Sequence, residues 1–342
     1  MNKKPLSTAL LAVLLFFAGG HRADAASWRV NSNANRHAHF TDINKAMDDS
    51  RVADGDTLYL DPGCLLTSTQ NVTKRVTIIG TGYFLNAGAV FQTATINSDI
   101  YLKAANIKLE GVFIPNTVWL CADNLVLERC YATYIRWNGT GQHATVRQCY
   151  ITGRIWGYGR DDMRSAYLTL ENSIVISATG DHAVHALYSP IIRNNYLRVA
   201  SNNSGLYCVY NVMYATITNN IIMNHHYPAN VGTNRIECVL KNNINSSTGH
   251  DSFIEDVYLD TSTESAVFAL SGTNDQRYTL KEDSPAKSAA TDGGDCGPFG
   301  GLYPYVPSGY PFGMPRFESS SVGTRSVDGQ VHVTQQVTIQ DQ

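Results

Sequence analysis

The stretch "ATITNNIIMN" at residues 215–224 places two adjacent asparagines inside an apolar run. The same pair recurs upstream in "PIIRNNYLRV" (190–199) and downstream in "VLKNNINSS" (239–247). A buried amide is costly unless it is hydrogen-bonded, so its recurrence among isoleucines and leucines requires partners at regular spacing. The pairs therefore indicate either a set of ligands or a repeating element of the scaffold.

The pattern extends along the chain when each apolar run is aligned on its small or amide residue. Successive intervals are 19, 19, 24, 22, 25 and 23 residues for the anchors Gly111, Cys130, Cys149, Ser173, Asn195, Asn220 and Asn243. A period of about 22 residues without fixed leucines or a helical segment disfavours a leucine-rich repeat, and propeller blades are about twice as long. The repeat predicts an all-β chain folded as a parallel β-helix, whose coils stack about 4.8 Å apart.

Stacking of coils explains the asparagines as scaffold. Inward valines, isoleucines and leucines would form a continuous core, and the anchor asparagines would form a buried ladder between coils. Cys130, Cys149 and Ser173 occupy the same position, so the two thiols are expected to be buried and reduced, with a Cys130–Cys149 disulfide as the alternative. The seven cysteines include no CxxC spacing and no His/Cys cluster, which disfavours a zinc site.

The first 25 residues have the features of a signal peptide. A basic start precedes a short apolar stretch and the small-x-small sequence Ala23-Asp24-Ala25. The apolar stretch is too short for a transmembrane segment, and no later one is long enough. Removing these residues takes the net charge from −3 to about −5, because they carry three basic residues and one acid. This acidity disfavours nucleic-acid binding and predicts a secreted, periplasmic or cell-surface protein.

The ends of a solenoid must be covered, and the sequence offers segments for both ends. A short amphipathic helix at about 39–50, with Thr41 or Asp42 as its N-cap, is predicted to close the first coil. Its apolar face would consist of Phe40, Ile43 and Met47. The β-helix domain is predicted over 26–301, followed at 302–342 by a Pro/Gly/Tyr-rich wrap and a β-strand tail.

Two segments resemble a known family. "FTDINKAMDDSRVADGDTLYLDPG" (40–63) resembles the helix and first coil of right-handed parallel β-helix proteins of the pectin-lyase-like superfamily. "YTLKEDSPAKSAATDGGDCGPFGG" (278–301) is similar to the closing segment of secreted bacterial members. The resemblance covers roughly residues 28–301 and implies a right-handed, single-stranded β-helix of about 10 coils. It is more specific for fold than for activity.

In such a fold the strands form a wall and the loops form any site. The candidate site residues are therefore those that follow each anchor along the chain. The predicted substrate-binding residues are Arg136, Trp137, Trp156, Tyr158, Arg160, Arg164, His185, Tyr207 and Tyr210. The predicted catalytic residues are Arg154, Asp161, Asp162, Asp181 and His182. Equal offsets from the anchors predict two columns: Trp137 with Trp156, and Asp161 with His185 and Tyr207.

These residue types favour a polysaccharide as the partner. Tyrosine and tryptophan offer flat apolar faces to sugar rings at low cost in side-chain entropy. Arginines pair with carboxylates in bidentate fashion, which suits the uronic acids of acidic polysaccharides. The sequence therefore predicts a protein that binds or acts on a glycan, with uronate-containing polysaccharides as candidates.

Three functions remain open. A polysaccharide lyase would neutralise the uronate with arginine or Ca²⁺ and abstract a proton, and the absence of lysine between Lys108 and Lys241 leaves arginine or histidine as the base. A glycoside hydrolase would need two carboxylates about 5–10 Å apart. The third function is that of a non-catalytic structural or adhesive surface protein.

The comparison with polygalacturonase-like hydrolases of this fold favours the lyase. "GRDDM" supplies Asp161 and Asp162, and "TGDHAV" places His182 twenty residues after Asp162. The Gly-His-Gly and Arg-x-Lys motifs of those hydrolases are absent. Ca²⁺ is a candidate cofactor, and it would take its oxygen ligands from Asp161, Asp162 and Asp181.

Overall fold

The computed structural model describes residues 25–85, 92–138, 141–157, 167–178, 180–200, 205–224, 239–245, 253–254, 257–259, 263–272, 274–311, 315–322 and 333–339. It contains one short α-helix, α1 (Ile43–Asp48), and four 3₁₀ turns at Ala34–Arg36, Glu264–Ala266, Asn274–Tyr278 and Pro307–Gly309. No helix in these ranges is long and apolar enough to cross a membrane.

The described strands, in chain order, are β1 (Ser27–Val30), β2 (Thr57–Leu60), β3 (Leu65–Leu66), β4 (Gln70–Val72), β5 (Thr77–Ile79), β6 (Thr95–Ile96), β7 (Ile100–Leu102), β8 (Lys108–Glu110), β9 (Phe113–Leu120), β10 (Leu125–Glu128), β11 (Tyr131–Trp137), β12 (His143–Arg147), β13 (Tyr150–Ile151), β14 (Ile155–Trp156), β15 (Tyr167–Glu171), β16 (Ile174–Ser177), β17 (Val184–Tyr188), β18 (Ile191–Arg193), β19 (Tyr196–Val199), β20 (Val209–Met213), β21 (Thr216–Thr218), β22 (Ile221–Asn224), β23 (Val239–Lys241), β24 (Ile244–Asn245), β25 (Phe253–Ile254), β26 (Val257–Tyr258), β27 (Pro315–Val322) and β28 (Val333–Ile339).

Two large sheets of parallel strands make up most of the molecule. The first sheet has eleven strands in the order β1-β2-β5-β8-β10-β12-β15-β18-β21-β23-β25. The second has fifteen strands, with the path β20-β17-β14-β11-β13-β16-β19-β22-β24-β26 and β3, β4, β6, β7 and β9 joined to it. The chain passes repeatedly from one sheet to the other, so the all-β prediction is confirmed and the architecture is consistent with a parallel β-helix.

The core consists of equivalent apolar side chains stacked in register. In the first sheet, five successive strands place their inward residues opposite one another and leave them 0% exposed: Leu58, Ile78, Leu109, Leu127 and Val146. Burying each side chain of this size contributes roughly 1.5–3 kcal/mol. The alternating burial along the strands therefore stacks apolar side chains into one main core cluster, and a second, separate cluster of buried side chains includes Ile174, Tyr196 and Ile221.

The asparagine ladder forms as predicted. The backbone N–H of Asn195 donates to Oδ1 of Asn220 at 2.9 Å, and the N–H of Asn220 donates to Oδ1 of Asn243 at 3.1 Å. Ser173 continues the ladder by accepting the backbone N–H of Cys149 at 3.1 Å. Cys149 in turn accepts the backbone N–H of Cys130 at 3.4 Å through its sulfur. Both thiols are free and buried, and burial raises the pKa of Cys130 well above its usual value.

The residue before each ladder position forms the corner between the two sheets. Six of these residues have φ between 49° and 58°: Arg129, Gln148, Asn172, Asn194, Asn219 and Asn242. Asparagine tolerates this left-handed conformation better than most residues do. Each "NN" pair thus combines a corner residue with a buried ladder residue.

A segment that we call the C-terminal strap (residues 284–311) packs along this corner. Its contacts, taken from the last coils toward the first, are Asn242 Nδ2 to the Ala289 carbonyl (3.0 Å), the Thr291 N–H to Asn219 Oδ1 (2.9 Å), Asn172 Nδ2 to the Pro298 carbonyl (3.0 Å) and Gln148 Nε2 to the Pro304 carbonyl (2.6 Å). The strap therefore runs back along the solenoid, opposite to the direction in which the coils advance.

The strap ends in a buried hydrogen-bond network beside the early coils. The hydroxyls of Tyr83 and Tyr305 lie 2.6 Å apart, and Tyr305 donates to Asp275 Oδ2 at 2.8 Å. The backbone N–H of Ser308 donates to the same oxygen at 2.6 Å. Burial raises the pKa of the Asp275 carboxyl despite these donors.

The helix α1 lies within the range predicted for it. Asp42 is the N-cap, since its side chain accepts the backbone N–H of Lys45 at 2.8 Å. The predicted apolar face is buried, with Ile43 0% exposed and Phe40 and Met47 each 6% exposed. These side chains belong to the main core cluster.

Near the C-terminus, β27 and β28 form an antiparallel pair.

Candidate functional site

One outward-facing column of the second sheet concentrates aromatic and basic side chains. We call it the outer row; from β7 through β9, β11, β14 and β17 to β20 it consists of Tyr101, Trp119, Arg136, Trp156, His185 and Tyr210. All six are partly exposed, while their strand neighbours on the other face are buried except Asn211. Because side chains alternate along a strand, the same register that builds the core aligns this row outside.

The row differs by one residue from the predicted column of tryptophans. Trp156 lies opposite Arg136, and Trp137 is 4% exposed and belongs to the core. The offset between partners is 19 residues at Ala132 and Ile151 but 20 residues at Ile135 and Ile155. A shift of one residue exchanges the two faces of a strand, so the predicted stacking of Trp137 on Trp156 is wrong.

The second predicted column is also displaced. His185 lies opposite Tyr210, whereas Tyr207 packs against His182 with ring centroids 5.8 Å apart. The coil that contains Asn195 is longer than the one before it, so equal offsets do not correspond there. The third member of this column, Asp161, lies outside the described residues.

Arg136 is enclosed by aromatic rings. Its guanidinium carbon lies 4.8 Å from the ring centre of Tyr134, 5.4 Å from that of Trp156 and 5.7 Å from that of Trp119. Its Nε is buried and has no hydrogen-bond acceptor within the described ranges, and no carboxylate there pairs with it. Arg136 therefore presents a partly desolvated positive charge at the middle of the row.

Arg154 is held beside the row by an ion pair. Its Nη1 lies 2.8 Å from Oδ1 of Asp181, and its guanidinium carbon is 4.4 Å from the Trp156 ring centre. The structure thus brings together three of the predicted catalytic residues, Arg154, Asp181 and His182. Asp181 largely compensates the charge of Arg154, which leaves Arg136 as the less compensated cation.

Two histidines lie at this end of the outer row, His185 as a member of the row and His182 beside it. His182 Nδ1 accepts the backbone N–H of Tyr207 at 2.9 Å, so its neutral form carries the proton on Nε2. His182 stacks on Tyr210 with centroids 4.2 Å apart and contacts His185 at 5.1 Å. Burial lowers the pKa of His182, and burial together with the nearby His182 and Arg154 lowers that of His185 to about 4. Both imidazoles are therefore neutral at pH 7.

The titration of His185 provides a direct check of this environment. We expect its imidazole NMR shifts to change with a midpoint near pH 4, against an ordinary value of 6.5. Since the folded state binds this proton more weakly than the unfolded state, the stabilising contribution is complete above pH 6.5 and decreases as the pH falls toward 4. The variant His185→Gln identifies the signal, and a midpoint near 6.5 would contradict the described burial.

The rings of the row stack on one another but do not fully cover one another. Tyr101 and Trp119 are parallel within 10° at 5.6 Å, and Trp156 and His185 within 6° at 6.3 Å. At these centroid distances parallel rings are offset, so part of each face and one edge remain open to a ligand. Trp119 also donates its Nε1–H to Asp99 at 2.9 Å, whereas Trp156 Nε1 has no acceptor among the described residues.

Sequence reasoning missed Tyr101 and Trp119. Tyr101 precedes Gly111, the first anchor, and Trp119 lies eight residues after that anchor, in a coil from which no candidate was taken, although the alternation of β9 marks Trp119 as an outward residue. The predicted residues Tyr158, Arg160, Asp161, Asp162 and Arg164 lie outside the described residues. No group of three histidine, cysteine or acidic side chains able to hold a metal occurs within the described ranges.

The outer row combines open ring surface with a cation, Arg136, that has no acidic partner among the described residues. The adjacent neutral imidazoles can accept a proton. No protein-family model matches the chain, and no curated protein matches it.

Proposed function

We propose that the protein binds an acidic, uronate-containing polysaccharide along the outer row. The observation that carries the proposal is the position of Arg136, enclosed by three aromatic rings and unpaired with any described carboxylate. A carboxylate of the ligand would supply the missing acceptor in a bidentate, charge-assisted pair. The neighbouring rings would contact the apolar faces of the adjacent sugars.

The dimensions of the row suit a polymer better than a small metabolite. Six strands at about 4.8 Å spacing give a row about 24 Å long. Every strand of the outer row contributes a ring except β11, which contributes Arg136. Several sugar units would therefore make equivalent contacts. A chain bound in this way would lie parallel to the solenoid axis.

Lyase activity is the enzymatic form of this proposal. Arg136 would neutralise the uronate carboxylate, which makes the adjacent C–H more acidic, and a neutral imidazole of His182 or His185 would take that proton. The electron pair would form the C=C bond as the glycosidic C–O bond breaks, and the departing oxygen would take up a proton from solvent. The low pKa of His185 favours a neutral, proton-accepting imidazole at pH 7.

The variant Arg136→Gln tests the binding site. We expect it to weaken the binding of polygalacturonate about 10- to 100-fold, because a hydrogen bond to a charged group contributes roughly 1.5–3 kcal/mol. Isothermal titration calorimetry at low salt would measure this change. Added salt should weaken polygalacturonate binding by the wild-type protein more than binding by the variant. Arg75→Gln is a matched control, since it removes an equal charge from an exposed residue away from the row.

The same samples distinguish binding from turnover. A rise in ultraviolet absorbance from unsaturated uronate, lost in His182→Gln or in His185→Gln, would identify a lyase and its base. Saturable binding without product would identify a non-catalytic adhesive or structural protein. If neither alginate nor polygalacturonate binds, or if Arg136→Gln binds as well as wild type, the proposal is wrong.

The wider setting is proposed on the sequence resemblance together with the sheet topology. We propose a right-handed β-helix of the pectin-lyase-like superfamily, with about 10 coils, α1 as the N-terminal cap and the strap as part of its C-terminal extension. The N-terminal features support secretion to the periplasm, the medium or the cell surface. An acidic polysaccharide is accessible in each of these compartments.

A further inference from the structure

We infer that the protein has a second carbohydrate site, specific for a neutral glycan, on its first sheet. The site is a groove of about 390 Å³, which we call the side groove. It lies across β10, β12, β15 and β18, and none of its lining residues belongs to the outer row; the polar ones are Asn124, His143, Thr145, Tyr167, Thr169 and Ser189. The inference is independent of the function proposed for the outer row.

The floor of the side groove is a column of outward side chains in register. Val126 lies opposite Thr145, Thr145 opposite Thr169, and Thr169 opposite Ile191. Four strands at about 4.8 Å spacing give a floor about 14 Å long. Two threonine hydroxyls at its centre are flanked by apolar side chains, and Ile191 is 42% exposed.

One wall of the groove is aromatic. His143 and Tyr167 lie opposite each other in β12 and β15, with parallel rings 4.7 Å apart. Tyr188 contacts the Tyr167 ring edge to face at 5.5 Å, which fixes the tyrosine in place. The groove thus has one amphipathic wall, a feature suited to ligands that have apolar faces and polar edges.

The lack of acidic, lysine or arginine side chains in the described lining of the side groove selects the class of ligand. Lys108 continues the floor column beyond Val126, and its ammonium pairs with Glu110 at 2.8 Å and Glu128 at 2.6 Å. In the neighbouring charged column Glu171 pairs with Arg193 at 2.6 Å. An ionic ligand would therefore find no counter-ion on this lining.

A neutral sugar fits each of these properties. Its hydroxyls match the threonine hydroxyls, its C–H face matches the aromatic wall and Ile191, and its lack of charge matches the lining. The volume lies within the range of about 300–1,000 Å³ for small-ligand sites, which accommodates a short oligosaccharide. A purely apolar ligand would leave the central hydroxyls without partners.

Calorimetry of the full chain with neutral hexasaccharides tests the inference. The probes are cellohexaose, mannohexaose, maltohexaose and chitohexaose, each titrated at low and high salt. We expect saturable binding of at least one probe, unchanged by salt and by Arg136→Gln. Thr169→Val removes one hydroxyl without changing the side-chain shape and should weaken that binding about three- to tenfold.

A blocking variant makes the result decisive. Thr169→Trp should fill the groove and abolish binding of the neutral probe, while leaving polygalacturonate binding and the thermal unfolding midpoint unchanged. If no probe binds, or if binding persists in Thr169→Trp, the inferred site does not exist. If binding of the neutral probe falls with Arg136→Gln, its site is the outer row and the inference is also wrong.

Discussion

Replacing Asn220 with alanine is expected to lower the free energy of unfolding by about 3–5 kcal/mol, because several buried groups lose their partners together. Asn220 Oδ1 accepts both the backbone N–H and the Nδ2 of Asn195, each at 2.9 Å. Its Nδ2 donates to the carbonyls of Ile192 and Thr218, also at 2.9 Å. The residue is 0% exposed, so water cannot replace these bonds without opening the coil.

Chemical denaturation of the variant and of two comparison proteins would measure this effect. Asn220→Ser should lose less than Asn220→Ala, because a hydroxyl can still accept the N–H of Asn195, as Ser173 does for Cys149. Asn35→Ala removes an exposed amide and should change the free energy of unfolding by less than about 0.5 kcal/mol. Equal stability of the alanine and serine variants would argue against a ladder that acts through its acceptor oxygens.

The second large effect is expected at Glu128, the centre of the charged column on the first sheet. Its side chain is 7% exposed and contacts Lys108, Arg129 and Arg147. Glu128→Ala should lower the free energy of unfolding by about 3 kcal/mol, since removing this partner leaves the buried Arg129 and the partly buried Lys108 and Arg147 incompletely compensated. Glu128→Gln is the matched variant that keeps the size of the side chain and loses its charge.

The same carboxylate gives a pH dependence with a definite sign. Hydrogen bonds and ion pairs with Lys108 and Arg147 outweigh burial and hold the pKa of Glu128 below its usual value of 4.5. Its stabilising contribution is therefore complete above about pH 4.5 and is lost as the pH falls through the lower, folded-state pKa. The stability difference between wild type and Glu128→Gln should shrink over this acidic range, and a difference that grows there would contradict the ion-pair network.

The ladder was predictable from sequence because its requirements are strictly local. A buried position that must bond to the coils above and below admits only asparagine, serine, cysteine and similar small residues, and these recur visibly from Cys130 to Asn243. Asn219, the first asparagine of its pair, does not join the ladder and instead bonds to Thr291 of the strap.

The outer row was only partly predictable, because its register depends on loop lengths. Arg136, Trp156, His185 and Tyr210 were all identified as candidates. Which of them lie opposite one another was not predicted, and Tyr101 and Trp119 were missed. One additional residue before Ile155 is enough to bring Arg136 rather than Trp137 opposite Trp156. Counting from an anchor cannot detect such an insertion, whereas backbone pairing determines it directly.

The C-terminal strap changes how the solenoid should fold and unfold. Coils alone touch only their neighbours, so a bare stack can melt from one end, one repeat at a time. The strap joins Tyr305 to Tyr83 across 222 residues of sequence, and closing so long a loop is slow and entropically expensive. Once closed, it couples the first coils to the last, so loss of either end releases contacts along the whole corner. The chain should consequently behave as a single cooperative unit rather than as an array of separable repeats.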